Sequence, residues 1–160
     1  MAEQRAVVVI GIGNELRGDD CAGLEVARRV RARAGPRIDV FEARGDQLSL
    51  LQAWDGCRAA VLIDAVHSGA APGAVHRLDL GGAPLDSAIS RHATTHSVSP
   101  LDAVELARAL HRLPPQVVLY AIEGEDFALG ASVSASVRCV LDSVARAVAR
   151  ECERVLAPSG

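Results

Sequence analysis

Three short apolar runs, residues 6–10 (AVVVI), 59–63 (AAVLI) and 117–122 (VVLYAI), constrain the fold more than any other feature of this chain. Each is apolar at consecutive rather than alternate positions, so each must be covered on both faces, as inner strands of a parallel sheet are. Residues 38–42 read as a further strand. Residues 74–80 behave differently: His76, Leu78 and Leu80 alternate with Val75, Arg77 and Asp79, the pattern of a more exposed edge strand. Between these runs the apolar spacing turns helical. Residues 22–34 carry Leu24, Ala27 and Val30 before a stop at Gly35-Pro36. Residues 47–54 form a short helix, and residues 133–156 a long amphipathic one. Ser99 and Pro100 are an N-cap and a first helical position for residues 100–110. One further helical turn is expected at 85–89. Strands alternating with helices specify an α/β domain with a mainly parallel sheet and helices on both faces. At 160 residues, with no repeat or linker, the whole chain (1–160) reads as a single domain.

Composition excludes several function classes. The formal net charge is −3, every basic residue is an arginine, and no arginine-rich run is interleaved with aromatics, so a nucleic-acid partner is not expected. The four cysteines form no Cys-x-x-Cys pair and read as reduced thiols. No apolar run reaches the ~20 residues of a membrane span, and the N-terminus lacks the features of a signal peptide. The expectation is a cytoplasmic protein with no membrane partner, monomeric by default.

The loop after the first run, GIGNELRGDD, invites a dinucleotide-binding reading. A third glycine of the G-x-G-x-x-G pattern would fall at position 16, which is Leu16. Glu15, Asp19 and Asp20 would also confront a pyrophosphate with carboxylates. The same acids suit a cation. Asp19 fits a cap at the start of the following helix, which leaves Asp20 for the cleft. Asp64 ends the apolar run VLID, where a carboxylate is costly unless paired, hydrogen-bonded or bound to metal. His96 lies in the polar stretch ATTHSVSP. His67, His76, His92 and His111 read as ordinary surface or loop residues. In open α/β sheets ligands bind outside the carboxyl ends of the strands, and Asp20, Asp64 and His96 belong to three separate segments at that end. Two carboxylates and an imidazole form an incomplete shell for nickel, zinc or iron. No His-Glu-x-x-His helix, Gly-x-Ser-x-Gly elbow or cysteine-protease signature is present.

Four segments, GIGNELRGDDCAGLEVARRV, VLIDAVHSGAAPGAV, TTHSVSPLDAVELA and YAIEGEDFALGASVSASV, resemble the nickel-iron hydrogenase maturation protease family in order and spacing. The resemblance runs from about Val7 to Val137. It implies a three-layer α/β/α sandwich. It implies an endopeptidase that removes a C-terminal extension from the hydrogenase large-subunit precursor after nickel insertion. It maps the family's metal-contacting acid, strand-end acid and loop histidine onto Asp20, Asp64 and His96, which are then both the catalytic and the metal residues. It further implies that the nickel is supplied by the substrate rather than held by the free enzyme. Two positions depart from the family pattern. Cys21 stands where a glycine is common, and reads as a small buried helix-start residue. Glu42 stands in for an aspartate linked with substrate recognition, a role in which Asn14 is a second candidate, although Asn14 also suits fixing its own turn.

Rival readings make different predictions. A nickel-sensing chaperone or scaffold would hold the same precursor without shortening it. A peptidyl-tRNA-hydrolase-like enzyme also opens with a strand and a Gly-x-Gly-Asn loop, but needs a basic face that this composition does not supply.

Overall fold

The computed structural model describes residues 6–44, 46–82 and 99–158. Five strands form one sheet in the order β2-β1-β3-β5-β4. These are β1 (Val7–Ile12), β2 (Ile38–Ala43), β3 (Ala59–Val66), β4 (Val75–Asp79) and β5 (Gln116–Glu123). β2, β1, β3 and β5 are mutually parallel, and β4 joins the far edge antiparallel to β5. The runs that are apolar at every position are the three inner strands, and the alternating run is the edge, as their patterns require.

The sheet has two distinct cores. Val7, Val9, Val61 and Ile63 point to one face, where α1 (Ala22–Arg31) and the long helix α5 (Leu141–Leu156) cover them. Val8, Ile10, Leu62 and Leu119 point to the other, under α2 (Gln47–Trp54) and α3 (Pro100–Ala109). The molecule is thus a three-layer α/β/α sandwich. Trp54, the largest fully buried side chain, fills the second core. α3 begins on a capping box: Ser99 accepts from the backbone N–H of Leu101, Asp102 accepts from that of Ser99, and Pro100 occupies the first turn.

Three expectations need amendment. β3 does not stop at Asp64 but runs on through Ala65 and Val66, with Asp64 paired in register to Ala121 of β5. Continued pairing carries the strand past its one acid, because backbone hydrogen bonding is indifferent to the side chain it carries. The C-terminal helix begins later than residue 133. A one-turn α4 (Ala135–Arg138), capped by Ser134, is separated from α5 by Cys139 and Val140. The first helix ends at Arg31, short of the glycine-proline stop. The turn expected at 85–89 lies outside the described residues.

Candidate active site

The strand order reverses between β1 and β3: from β1 the chain moves outward to β2, and from β3 it moves to the opposite side. Carboxyl ends of strands at such a switch point frame a crevice. Asp20 and Asp64 are both there. Gly11 of β1 is in register with Ile63 of β3, one residue before Asp64. Asp20 belongs to a 3-10 turn (Gly18–Cys21) that folds back over the end of β1 and packs against β3. The fold-back is close: the N–H of Asn14 donates to the carbonyl of Asp20 at 3.3 Å. A Cβ on Gly13 would sit 2.0 Å from that same oxygen, so only glycine fits. α1 starts equally tightly. A Cβ on Gly23 would lie 2.3 Å from the carbonyl oxygens of both Ile12 and Ile63, so this glycine lets the helix rest on the ends of both strands.

Asp64 is fully buried and Asp20 is 1% exposed. The alternation along β3 sends Asp64 to the same face as Leu62 and Val66, toward α3. There it forms part of the wall of a cavity of about 240 Å³, with Leu78, Leu101, Leu119 and Ala121. Ser99, the N-cap of α3, lines the same space. His96 lies outside the described residues. Among the described residues no group of three metal-ligating side chains occurs.

Asp19 has a different task from its neighbour. It does not cap α1, whose start has no side-chain cap. Its carboxylate accepts from the backbone N–H groups of Glu125 (2.7 Å), Asp126 (3.0 Å) and Ser134 (2.7 Å), and from the Ser134 hydroxyl (2.9 Å). Burial pushes its pKa up, but these four donors outweigh burial and hold it below the ordinary aspartate value. The double acid therefore divides its work. Asp19 ties the segment after β5 to the first loop, and Asp20 is buried in the turn that folds over the end of β1. Cys21 is buried, and burial followed by the nearby carboxylates of Glu25 and Asp19 raises its thiol pKa. It remains a neutral thiol, in keeping with a packing role.

Asn14 and Glu42 lie together on a second depression, beside Glu15 and Arg44. Asn14 closes its own turn by accepting from the N–H of Leu16 at 3.0 Å. Glu42 pairs with Arg28 at 2.7 Å and Arg31 at 3.0 Å. Burial would raise its pKa, yet the two guanidiniums more than offset it and the carboxyl is held low. Arg28 also binds Glu15 and Glu25, so the first loop, α1 and β2 meet in one charge network.

His76 is a half-exposed edge-strand residue, the surface position its sequence context implied. It lies in register with Ala121, which is in register with Asp64, so an imidazole and a carboxylate flank one small residue on a common face. Its Nε2 faces Glu123 at 3.8 Å. Glu123 is fully buried and accepts from the Ser68 hydroxyl at 2.8 Å and the Gly69 N–H at 3.1 Å, which pins the segment after β3. The signal for His76 was present in the sequence: it shares the alternation of Leu78 and Leu80. Glu123 had no such signal, because its role depends on a loop fifty-five residues away.

The family and the fold both recur among known proteins. The sequence matches the family described as hydrogenase maturation protease over residues 24–151. The fold is similar to that of the hydrogenase maturating endopeptidase HybD from E. coli, with 17% identity, 93% of each chain covered and a TM-score of 0.76. It is also similar to the maturation proteases HycI (20% identity, 95% of each chain, TM-score 0.70) and HybD (22% identity, 92% of this chain and 99% of the other, TM-score 0.69) from Thermococcus kodakarensis. No curated protein sequence matches the chain. Four-fifths of the sequence falls within the family match, and the chain belongs to the hydrogenase maturation protease family.

Proposed function

We propose that this protease is an endopeptidase that removes the C-terminal extension of a nickel-iron hydrogenase large-subunit precursor once nickel has been inserted. The observation that carries the reading is a pair of buried carboxylates near the switch point: Asp20 in the turn folded over the end of β1, and Asp64 near the carboxyl end of the adjacent β3. Asp64 is the one acid in a strand whose every residue is buried, and it lines the cavity under α3. A cation carried in by the substrate suits two oxygen ligands and an imidazole. In this reading Asp20, Asp64 and His96 surround the precursor's nickel and are the catalytic and metal-contacting residues.

Nickel bound to the precursor would act as a Lewis acid on the scissile carbonyl. The protein's own residues do the rest. The carboxylates hold the docked centre at the crevice, and one of them accepts a proton from the attacking water. Oxygen adds to the carbonyl carbon, the C–N bond breaks, and the proton passes to the departing amine. Gly13 keeps the first loop low enough for a peptide to lie across it. Glu42 and Asn14, on the neighbouring depression, contact the precursor's surface.

The test is incubation of the purified enzyme with nickel-loaded and nickel-free precursor, read by intact mass. Shortening of the loaded form, with the nickel-free form largely uncut, is the expected result. Equal cleavage of both would remove nickel gating. Binding with no loss of mass from either form would convert the reading to that of a scaffold.

A further inference from the structure

Surface leucines are ordinary when scattered, but in this molecule they gather. Among the described residues the three most exposed large apolar side chains are Leu129 (70%), Leu16 (65%) and Leu48 (65%). Each stands on the segment that follows the carboxyl end of a strand: Leu16 after β1, Leu48 after β2 in the first turn of α2, and Leu129 after β5. β1 and β5 are the two neighbours of β3, so Leu16 and Leu129 stem from either side of the strand that carries Asp64. Their backbones are fixed. The Leu16 carbonyl accepts from the N–H of Gly130, next to Leu129, at 2.7 Å, and the Asp19 N–H donates to the Asp126 carbonyl at 2.8 Å. Beside Leu48, Asp46 caps α2 by accepting from the Ser49 N–H at 2.9 Å. Three apolar side chains are thus presented to solvent from anchored backbone, at the end of the sheet where Asp20 and Asp64 lie.

We propose that Leu16, Leu48 and Leu129 form an apolar rim on which the folded body of the precursor docks, through an apolar patch of its own beside the tail. The inference rests on the proposed function, which supplies the occupant. Leu16 and Asp20 belong to one loop, so a protein that brings its scissile bond to Asp20 and Asp64 covers the leucines that surround them. Removal of apolar surface from water drives the contact. It acts equally on bound substrate and on transition state, so the rim sets affinity and leaves the chemical step alone. The rim also reads a folded surface rather than a stretch of tail. β2 and β5 stand three strand spacings apart in the sheet, about 14 Å, a span that no single side chain bridges.

The experiment uses the full-length enzyme and nickel-loaded precursor. KM and kcat are read by intact mass, and Kd by interferometry in an Asp64→Asn background that keeps the precursor uncut. Leu16→Gln combined with Leu129→Gln is expected to raise KM and Kd by about 100-fold, roughly 10-fold for each leucine lost from a buried contact, with kcat and thermal midpoint unchanged. Leu48→Gln should raise both by about 10-fold. Leu110→Gln, at the C-cap of α3 and 52% exposed, is the control and should change neither. Unaltered KM and Kd in the double variant overturn the proposal, as does a fall in kcat at constant KM. Equal weakening by Leu110→Gln also overturns it, because position at the rim would then not matter. A wild-type dimer in sedimentation that the double variant splits makes the occupant a second copy of this chain and not the precursor. If wild type binds the precursor but never shortens it, the peptidase reading fails, while the Kd series still decides the rim.

Discussion

Asp19 and Asp20 are adjacent and both buried, yet they are proposed to serve different ends: Asp19 accepts from four hydrogen-bond donors, and Asp20 belongs with Asp64 to the proposed site. That contrast yields two predictions. Asp64→Asn and Asp20→Asn should each lower kcat for precursor cleavage by at least 100-fold, with the circular dichroism spectrum unchanged. Full activity in either variant would remove that residue from the site. Asp19→Asn should instead destabilise the fold by about 3 kcal/mol, because the charge-assisted bonds are lost and at least one backbone donor, the Ser134 N–H, would face an amide NH2. The pH dependence has a definite sign. The folded-state pKa of Asp19 lies below its unfolded value, so its stabilisation is complete above about pH 4. It is lost as the pH falls from there through the lower folded value. Urea midpoints of wild type and Asp19→Asn should therefore converge below pH 4 and differ most near neutrality. A gap that stays constant down to pH 2.5 would contradict the donor arrangement.

The helices owe their positions to contacts at their ends. α1 can rest on β1 and β3 only because residue 23 has no side chain. Gly23→Ala should cost about 3 kcal/mol through overpacking against two carbonyl oxygens that cannot both retreat. Because those carbonyls bracket the crevice, activity should fall along with the thermal midpoint. Ser99→Ala removes the cap of α3 and should cost about 1 kcal/mol. Since Ser99 also lines the cavity beside Asp64, this variant separates stability from activity. A midpoint lowered by roughly 2–4 °C with kcat/KM intact is the expected pair of readings. Comparable destabilisation from Ser99→Thr, which keeps a hydroxyl cap, would argue that packing rather than capping is at stake.

At the scale of the molecule, a sheet with an apolar core on each face holds itself together from its own side chains. Nickel enters the proposed reaction with the substrate, so the fold does not depend on it. Dialysis of the free enzyme against a chelator should leave the thermal midpoint unchanged within about 1 °C. A drop of 5 °C or more would mean a resident metal contributes to stability by mass action. Among the described residues no helix is long and apolar enough to cross a membrane. The crevice, the cavity at Asp64 and the depression at Glu42 are reached from residues at or near the carboxyl ends of β1, β2 and β3. A single docked chain can therefore engage all of them.

Local pattern alone was enough to reveal the α/β class, the inner and edge strands, the cap of α3 and the candidacy of Asp20 and Asp64. Consecutive apolar residues report burial on both faces, alternation reports an edge, and an acid beside such a run is conspicuous whatever surrounds it. The division of labour between Asp19 and Asp20, the anchoring of Ser68 and Gly69 by Glu123, and the alignment of His76 with Asp64 across Ala121 depended on tertiary structure. Each relies on partners brought close only when strands pair: Asp19 meets Ser134 across 115 positions of chain, and Glu123 meets Ser68 across 55. Hydrogen-bond geometry between such distant residues leaves no periodic trace in the chain, because either partner alone is an ordinary polar residue in a loop or at the end of a strand.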